Sequence, residues 1–255
     1  MEDWTAVNQY DESYYSRGIQ TGIVGRFVIS LSRFMQTTRK AFRGTPGWVL
    51  EIGFGDGSFL EALARKGWDA YGIDISDEAL EMARSKVGLS VMKGELLDCG
   101  MEESFFDVVV MRHVLEHITN PGETLVEIRR ILKQNGTVYI TVPNIDSIEA
   151  CIAGDKWFHH DPEYHVTEYS PVTIRNALSM AGFKDARINH MLPEYRQTLT
   201  YSVLSRIGLD SVVSGRDVSL LKRLLVYILL PLGVIASYIC SLVGRGGTIE
   251  VTARK

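Results

Sequence analysis

Between Trp48 and Val142 short apolar runs alternate with segments of helical period, and this alternation restricts the fold more than any other feature of the chain. Trp48 to Ile52 reads as a buried strand, and Ser58 to Lys66 as a helix with Leu60, Leu63 and Ala64 inward. Ala70 to Ile73 is a second strand, followed by a helix over Asp77 to Lys86 with Ser76 as its cap. Ser90 to Lys93 makes a third strand, and "FFDVVVMR", Phe105 to Arg112, a fourth whose unbroken apolar character suits burial on both faces. Asn120-Pro121-Gly122-Glu123 supplies a cap, a proline at the first helical position and a glutamate three residues past the cap, announcing a helix that ends near Leu132. "GTVYITV", Gly136 to Val142, is the fifth strand. Such alternation builds a parallel sheet covered by helices on both faces.

The flanks read differently. From Ser16 to Phe42, Ile19, Ile23, Phe27, Leu31, Phe34 and Met35 recur at the spacing of an amphipathic helix that leads into the first strand. After Pro143 comes a polar loop rich in histidine and aromatics, "DKWFHHDPEYHVTEYS", Asp155 to Ser170. Ser170-Pro171 opens another helix, a sixth strand is expected over Asp185 to His190, and the terminal "GTIEVTARK" alternates as a strand should. Between those two strands lies an insertion, residues 191–246, whose second half is unusually apolar. The 255 residues suit a single domain, 1–255, carrying that embellishment.

Composition removes some classes of function. A net charge of −4 gives no general field for nucleic acid, and no local basic patch replaces it, so a nucleic-acid partner is not expected. Cys99, Cys151 and Cys240 are far apart and lack metal-ligand spacing, which fits reduced thiols. The N-terminal "MEDWTAVNQYDESYY" is acidic and aromatic, unlike a secretory signal, and predicts a cytoplasmic protein.

The first strand runs into "VLEIGFGDGSF", with glycines at Gly53, Gly55 and Gly57. A dinucleotide fingerprint would place its third glycine where Ser58 stands, so a nicotinamide-dependent dehydrogenase fits poorly. A strand that turns into a helix through glycines lets a ligand approach bare backbone near the positive end of that helix. Asp74 ends the second strand, "YGID", where a carboxylate can accept bonds from both hydroxyls of a ribose.

These residues resemble the class I S-adenosylmethionine-dependent methyltransferases. Glu51, Gly53, Gly55 and Gly57 match the family's first motif, Asp74 its second-strand acid, and "GELLD", Gly94 to Asp98, its adenine-contacting segment. "FFDVVVMRHVLEHITNP" and "EIRRILKQNGTVYITVPN" resemble its fourth-strand motif and the helix and strand that follow. The resemblance implies a Rossmann-like, seven-stranded, mostly parallel sheet, with an apolar helical insertion before the last strand, and S-adenosyl-L-methionine as cofactor. It implies that Gly53 to Gly57 pass beside the methionine part, that Glu51 orders the site near its amine and that Asp74, with Ile75 after it, holds the ribose. Glu95 and Leu96 would flank the adenine, with Glu95 where the family often has aspartate, and Met111 would face the cofactor near its sulfonium.

Methyl transfer is an in-line displacement in which the protein mainly positions donor and acceptor. A hydroxyl acceptor must also lose a proton, and two groups of residues compete for that task. The first is His113, Glu116 and His117. Their "HVLEH" resembles the "EMLEH" of ubiquinone-pathway O-methyltransferases, where acidic residues and the histidine are associated with a divalent metal. His113 stands where the leading glutamate would be, which removes one hard oxygen ligand, so no metal residue is assigned. The second group is His159, His160, Asp161 and His165, in the loop after the fifth strand, where ligands of open α/β sheets bind. His113, His165 and His117 are the catalytic candidates.

From Leu224 to Gly244 no charged residue occurs, with Lys222, Arg223 and Arg245 as flanks. Its length alone suits a membrane span, but strands of one sheet lie on either side of it, so both ends belong on the same side of a membrane. Three readings remain: a helix or hairpin broken at Pro231 that dips into one leaflet, a surface platform for anionic lipid, or a subunit interface in a homo-oligomer. The sequence thus points to methyl transfer onto oxygen of a small-molecule or lipid-linked acceptor, placing the protein in the cytoplasm at the inner face of a membrane. A sugar O-methyltransferase and a non-catalytic, membrane-associated scaffold that binds the cofactor are the alternatives.

Overall fold

The computed structural model describes residues 39–42, 45–86, 88–157, 159–191, 198–208 and 220–255. The helix expected from Ser16 lies outside them, apart from a 3-10 turn at Lys40–Phe42. Seven strands make a mostly parallel, Rossmann-like sheet with helices packed on it. The chain divides into two compact units, Met1–Gly100 and Met101–Lys255.

In the first unit β1 (Trp48–Ile52), β2 (Asp69–Asp74) and β3 (Leu89–Lys93) are parallel, in the order β3-β2-β1. Helix α1 (Ser58–Ala64) follows β1, and α2 (Asp77–Arg84) follows β2. Ser76 caps α2 as expected, its hydroxyl accepting from the Ala79 amide at 3.2 Å. Gly72 has a packing reason inside β2. A β-carbon there would stand 2.6 Å from Phe54 and 2.9 Å from Leu60, the two side chains that fill the space above the strand.

The second unit holds β4 (Phe106–Arg112), α3 (Pro121–Ile131), β5 (Leu132–Pro143), α4 (Ile148–Ala153), α5 (Pro171–Met180), β6 (Lys184–His190), α6 (Thr198–Arg206), α7 (Leu220–Leu242) and β7 (Thr248–Arg254). Its strand order is β4-β5-β7-β6. β4 and β5 are parallel, and β7 runs antiparallel to both of its neighbours. β5 begins at Leu132, earlier than its apolar run suggests. Leu132 pairs with Phe106, after which Asn135 turns left-handed at φ 66° and the register shifts. The Asn120 side chain makes no capping bond to α3; its backbone sits at φ −115°, ψ 66°, away from extended capping geometry. Thr124 instead returns its amide and hydroxyl to the Asn120 carbonyl.

α4 had no sequence signal beyond Ser147, whose hydroxyl accepts from Ala150 at 2.9 Å. It seats Ala150 and Ala153 against Trp157. α7 corrects the expectation of a helix or hairpin broken at Pro231, because it runs through that proline as one helix. It packs on α6, where Gly233 leaves no room for a side chain beside Thr200. Ser237 donates to buried Glu149 at 2.7 Å, and Ser241 to the Met191 carbonyl at 2.6 Å. Among the described residues no helix is long and apolar enough to cross a membrane.

Candidate functional site

In the first unit the glycine turn is built as a backbone cradle. Gly53, Gly55 and Gly57 all have positive φ, at 66°, 55° and 65°, a region that side chains enter at a cost. Gly57 is packed closely, a β-carbon there standing 3.3 Å from Ala83, whereas nothing lies within 4 Å of one built at Gly55. Gly55 is thus the open point of the turn. Ser58 binds backward onto Asp56, amide and hydroxyl both, so the position of the missing third glycine is held by a local turn. α1 has only seven residues, so its dipole adds little and the cradle rests on the turn itself.

Asp74 ends β2 almost fully buried. Its Oδ2 accepts from the Gly55 amide at 2.9 Å and its Oδ1 from the Ser76 amide at 3.0 Å. Burial pushes its carboxyl above the ordinary aspartate range, and the amides of Ser76, Gly55 and Ile75 pull the other way. Glu51 is fully buried, Ile75 half-buried, Leu96 buried and Glu95 exposed at the start of a 3-10 turn.

In the second unit Met111 is fully buried near the end of β4, and His113 follows with a left-handed backbone at φ 54°. Few non-glycine residues occupy that region, and here it turns the chain into the Leu115–His117 3-10 turn. The loop after β5 is fastened onto that turn, since the Val166 and Thr167 amides donate to the Glu116 carbonyl at 2.8 and 3.1 Å. The two candidate groups are therefore one cluster. His113 Nδ1 lies 3.5 Å from Glu116 Oε1, the His113 and His159 rings stack at 6.2 Å, and the His117 and His165 rings meet edge-on at 4.7 Å. His160 stands apart, paired with Glu168 at 2.8 Å.

Glu116, His117 and His165 bring their ligand atoms within 4.8 Å of one another. His117 Nδ1 lies 2.9 Å from the Tyr164 carbonyl, which can only accept, so Nδ1 carries a proton. Burial lowers the His165 pKa, against the raising influence of Glu116, and keeps the imidazole neutral near pH 7. Beside these residues a small cavity is lined by Glu116, Pro143, Ile145, Trp157, His159, His165 and Tyr169, among others. Glu116 Oε2, Trp157 Nε1 and Tyr169 Oη are all buried without a hydrogen-bond partner. Burial pushes the Tyr169 phenol up to about 12; Thr167 is near enough to oppose this but forms no well-shaped bond with it.

The description of a methyltransferase domain matches residues 27–188, well over half of the chain. The chain belongs to the methyltransferase-domain family. A ubiquinone biosynthesis O-methyltransferase of Paraburkholderia phymatum is 30% identical over 172 residues, 64% of this methyltransferase and 72% of that protein. A namesake from Methylococcus capsulatus is 34% identical over 102 residues, but the match spans only 38% of this chain and 43% of the relative. A SAM-dependent methyltransferase from Archaeoglobus fulgidus shares the fold, with a TM-score of 0.62 over 96% of this chain and all of that one, at 20% identity.

Reasoning from sequence named the glycines, Asp74, His113, His117 and His165, but not Tyr169 or the role of Glu116 in joining the two groups. Tyr169 directly precedes the Ser170-Pro171 helix start, and its bridge to Asn144 brings it against the end of β5. That helix start was the available signal.

Proposed function

We propose that this methyltransferase moves the methyl group of S-adenosylmethionine onto an oxygen of a small or lipid-linked acceptor. The cavity of the second unit carries this reading. Glu116 Oε2 is a buried acceptor without a partner, while Trp157 Nε1 and Tyr169 Oη are buried donors without partners. A neutral hydroxyl offers one proton and two lone pairs, which suits that set; a carboxylate or phosphate would be repelled by Glu116. His113, next to Glu116, and neutral His165 are the groups that take the acceptor proton, with His117 behind them. The relatives named as O-methyltransferases support oxygen as the methylated atom.

The donor lies on the first unit's cradle. Gly53, Gly55 and Gly57 present backbone to its methionine part, with Glu51 beside the amine. Asp74 and Ile75 meet the ribose, Glu95 and Leu96 the adenine. Each oxygen of Asp74 keeps a further lone pair after its bond to backbone, so the ribose hydroxyls can add to an acceptor already oriented. A sugar hydroxyl would make the same three bonds in the cavity as a phenolic one, and methylation assays with both acceptor types separate them.

Lipid contact through residues 224–244 belongs to the same proposal and places the protein at the inner face of a membrane. Leu232, Ile235, Ile239 and Leu242 recur at helical spacing on α7 and are all more than half exposed. The first test is titration calorimetry with S-adenosylmethionine and, separately, with nicotinamide dinucleotides. Saturable binding of the methyl donor alone is expected; a folded protein that binds neither, or only the dinucleotides, overturns the reading.

A further inference from the structure

We propose that Glu149 is a positioning residue for the acceptor cavity: its buried carboxylate joins the apolar helix α7 to α4 and to the start of β7, and this joint sets the two cavity donors, Trp157 Nε1 and Tyr169 Oη. Glu149 stands in the first turn of α4 and is 2% exposed. Its Oε1 accepts from the Ser237 hydroxyl of α7 at 2.7 Å. Its other oxygen lies against the backbone that leads into β7, where a β-carbon built at Gly247 would stand 2.5 Å from it. A carboxylate is costly to bury, and an apolar side chain of the same volume fills such a gap at less cost. A polar group in that place fits a joint that must hold three elements in one register.

Two routes lead from this joint to the cavity. The first is α4 itself, whose Ala150 and Ala153 pack on Trp157. The second runs through the segment after α7. The Asn144 amide donates to the Gly247 carbonyl at 2.8 Å, its side-chain nitrogen to the Gly246 carbonyl at 2.9 Å, and the Ile148 amide to the Arg245 carbonyl at 3.1 Å. The chain leaving β5 is thereby stitched to residues 245–247. From there the Ile145 amide donates to the Tyr169 carbonyl at 2.9 Å, and Pro143, Ile145, Trp157 and Tyr169 all line the cavity. A displacement of α7 against α4 therefore moves two walls of the cavity at once. Every residue of both routes belongs to the second unit, whereas the cofactor cradle lies in the first. The joint thus governs acceptor affinity and leaves S-adenosylmethionine binding alone. This acceptor consequence rests on the proposed methyl transfer to oxygen; the joint does not.

The test labels the full chain with fluorotryptophan and follows the fluorine resonance of Trp157, identified by its loss in Trp157→Phe. Glu149→Met keeps the volume but removes the acceptor for Ser237, and Ser237→Ala removes the donor with little change in packing. Both should shift the Trp157 resonance and speed hydrogen exchange at the Ile145 amide. Glu149→Gln, which keeps an oxygen for Ser237, should leave both signals as in the unaltered chain. Because the first two changes break one contact, together they should shift the resonance no further than the larger of them alone. Phenol serves as the acceptor probe, and its affinity, read from the same resonance, should fall about fivefold or more in Glu149→Met and in Ser237→Ala. Calorimetric affinity for S-adenosylmethionine should stay unchanged in both. A Trp157 resonance unmoved in folded Ser237→Ala, or moved as far by Glu149→Gln as by Glu149→Met, overturns the joint. Phenol affinity that stays constant while the resonance moves, or phenol that the unaltered chain does not bind, overturns the acceptor consequence. Binding of S-adenosylmethionine by the unaltered chain is read separately, so failure of the joint and failure of the methyl-transfer reading cannot be confused.

Discussion

Asp74 shows what a residue's position in sequence reveals and what it conceals. Its place after β2 marks it as a ribose acceptor, but only the structure ties its Oδ2 to the Gly55 amide. That bond joins two motifs nineteen residues apart, and no local pattern encodes it. The carboxylate is therefore both ligand acceptor and brace for the glycine turn. Burial raises its pKa, so the folded protein holds this proton more tightly than the unfolded chain does. As pH rises through the window from the ordinary aspartate value to the raised one, the unfolded chain ionises first and this contribution to stability is lost. Cofactor binding needs the ionised form and runs the other way. Affinity for S-adenosylmethionine should weaken as pH falls, starting above the ordinary aspartate range, and Asp74→Asn should weaken binding at pH 7 by about tenfold or more and abolish that pH dependence. Calorimetry across pH 4.5 to 8 checks both, and an Asn variant with native affinity removes Asp74 from the ribose site.

Elements were legible where local chemistry and tertiary packing agreed. The five strands up to Val142 were each found; four are largely buried and need little besides apolar length, while β3 is mostly exposed and followed from the alternation of strands and helices. The signals failed where distant contacts decided the outcome. α4 is six residues long and exists through Trp157 and Glu149 packing against other parts of its unit. Pro231 should end a helix, yet α7 continues through it. α5 is the clearest success. Its Ser170 hydroxyl accepts from Thr173 at 3.2 Å and the Thr173 hydroxyl accepts from the Ser170 amide at 2.7 Å, a reciprocal cap with Pro171 at the first position. Ser170→Ala should cost about 1 kcal/mol of stability in denaturant titration. Because Tyr169 precedes the cap and lines the cavity, it should also alter the fluorescence of Trp157, which packs into the same cavity. A change in stability without a change at Trp157 would mean that the cap stabilises α5 but does not position the cavity wall.

For the molecule as a whole, the sequence foretold the mostly parallel sheet but not that its final strand runs antiparallel, while the fate of the apolar insertion depended on which face of α7 the protein itself covers. Ser237 and Ser241 bind inward, to Glu149 and the Met191 carbonyl, and Gly233 meets Thr200. The opposite face leaves Leu232 at 60%, Ile235 at 57%, Ile239 at 54% and Leu242 at 74% exposure, a contiguous apolar stripe that water solvates poorly. Lys222, Arg223 and Arg245 flank the segment in sequence, which favours a negatively charged bilayer surface over a neutral one. The full chain should therefore cosediment with vesicles rich in phosphatidylglycerol, and less with phosphatidylcholine vesicles. Replacing Ile235 and Ile239 together by serine should reduce binding, because each removes about 1.5–3 kcal/mol of apolar burial at the bilayer surface. Raising salt should weaken the basic contribution but leave the apolar one. A chain that ignores both vesicles yet forms dimers which the double substitution dissolves would assign the stripe to a second copy, and lipid contact would be withdrawn.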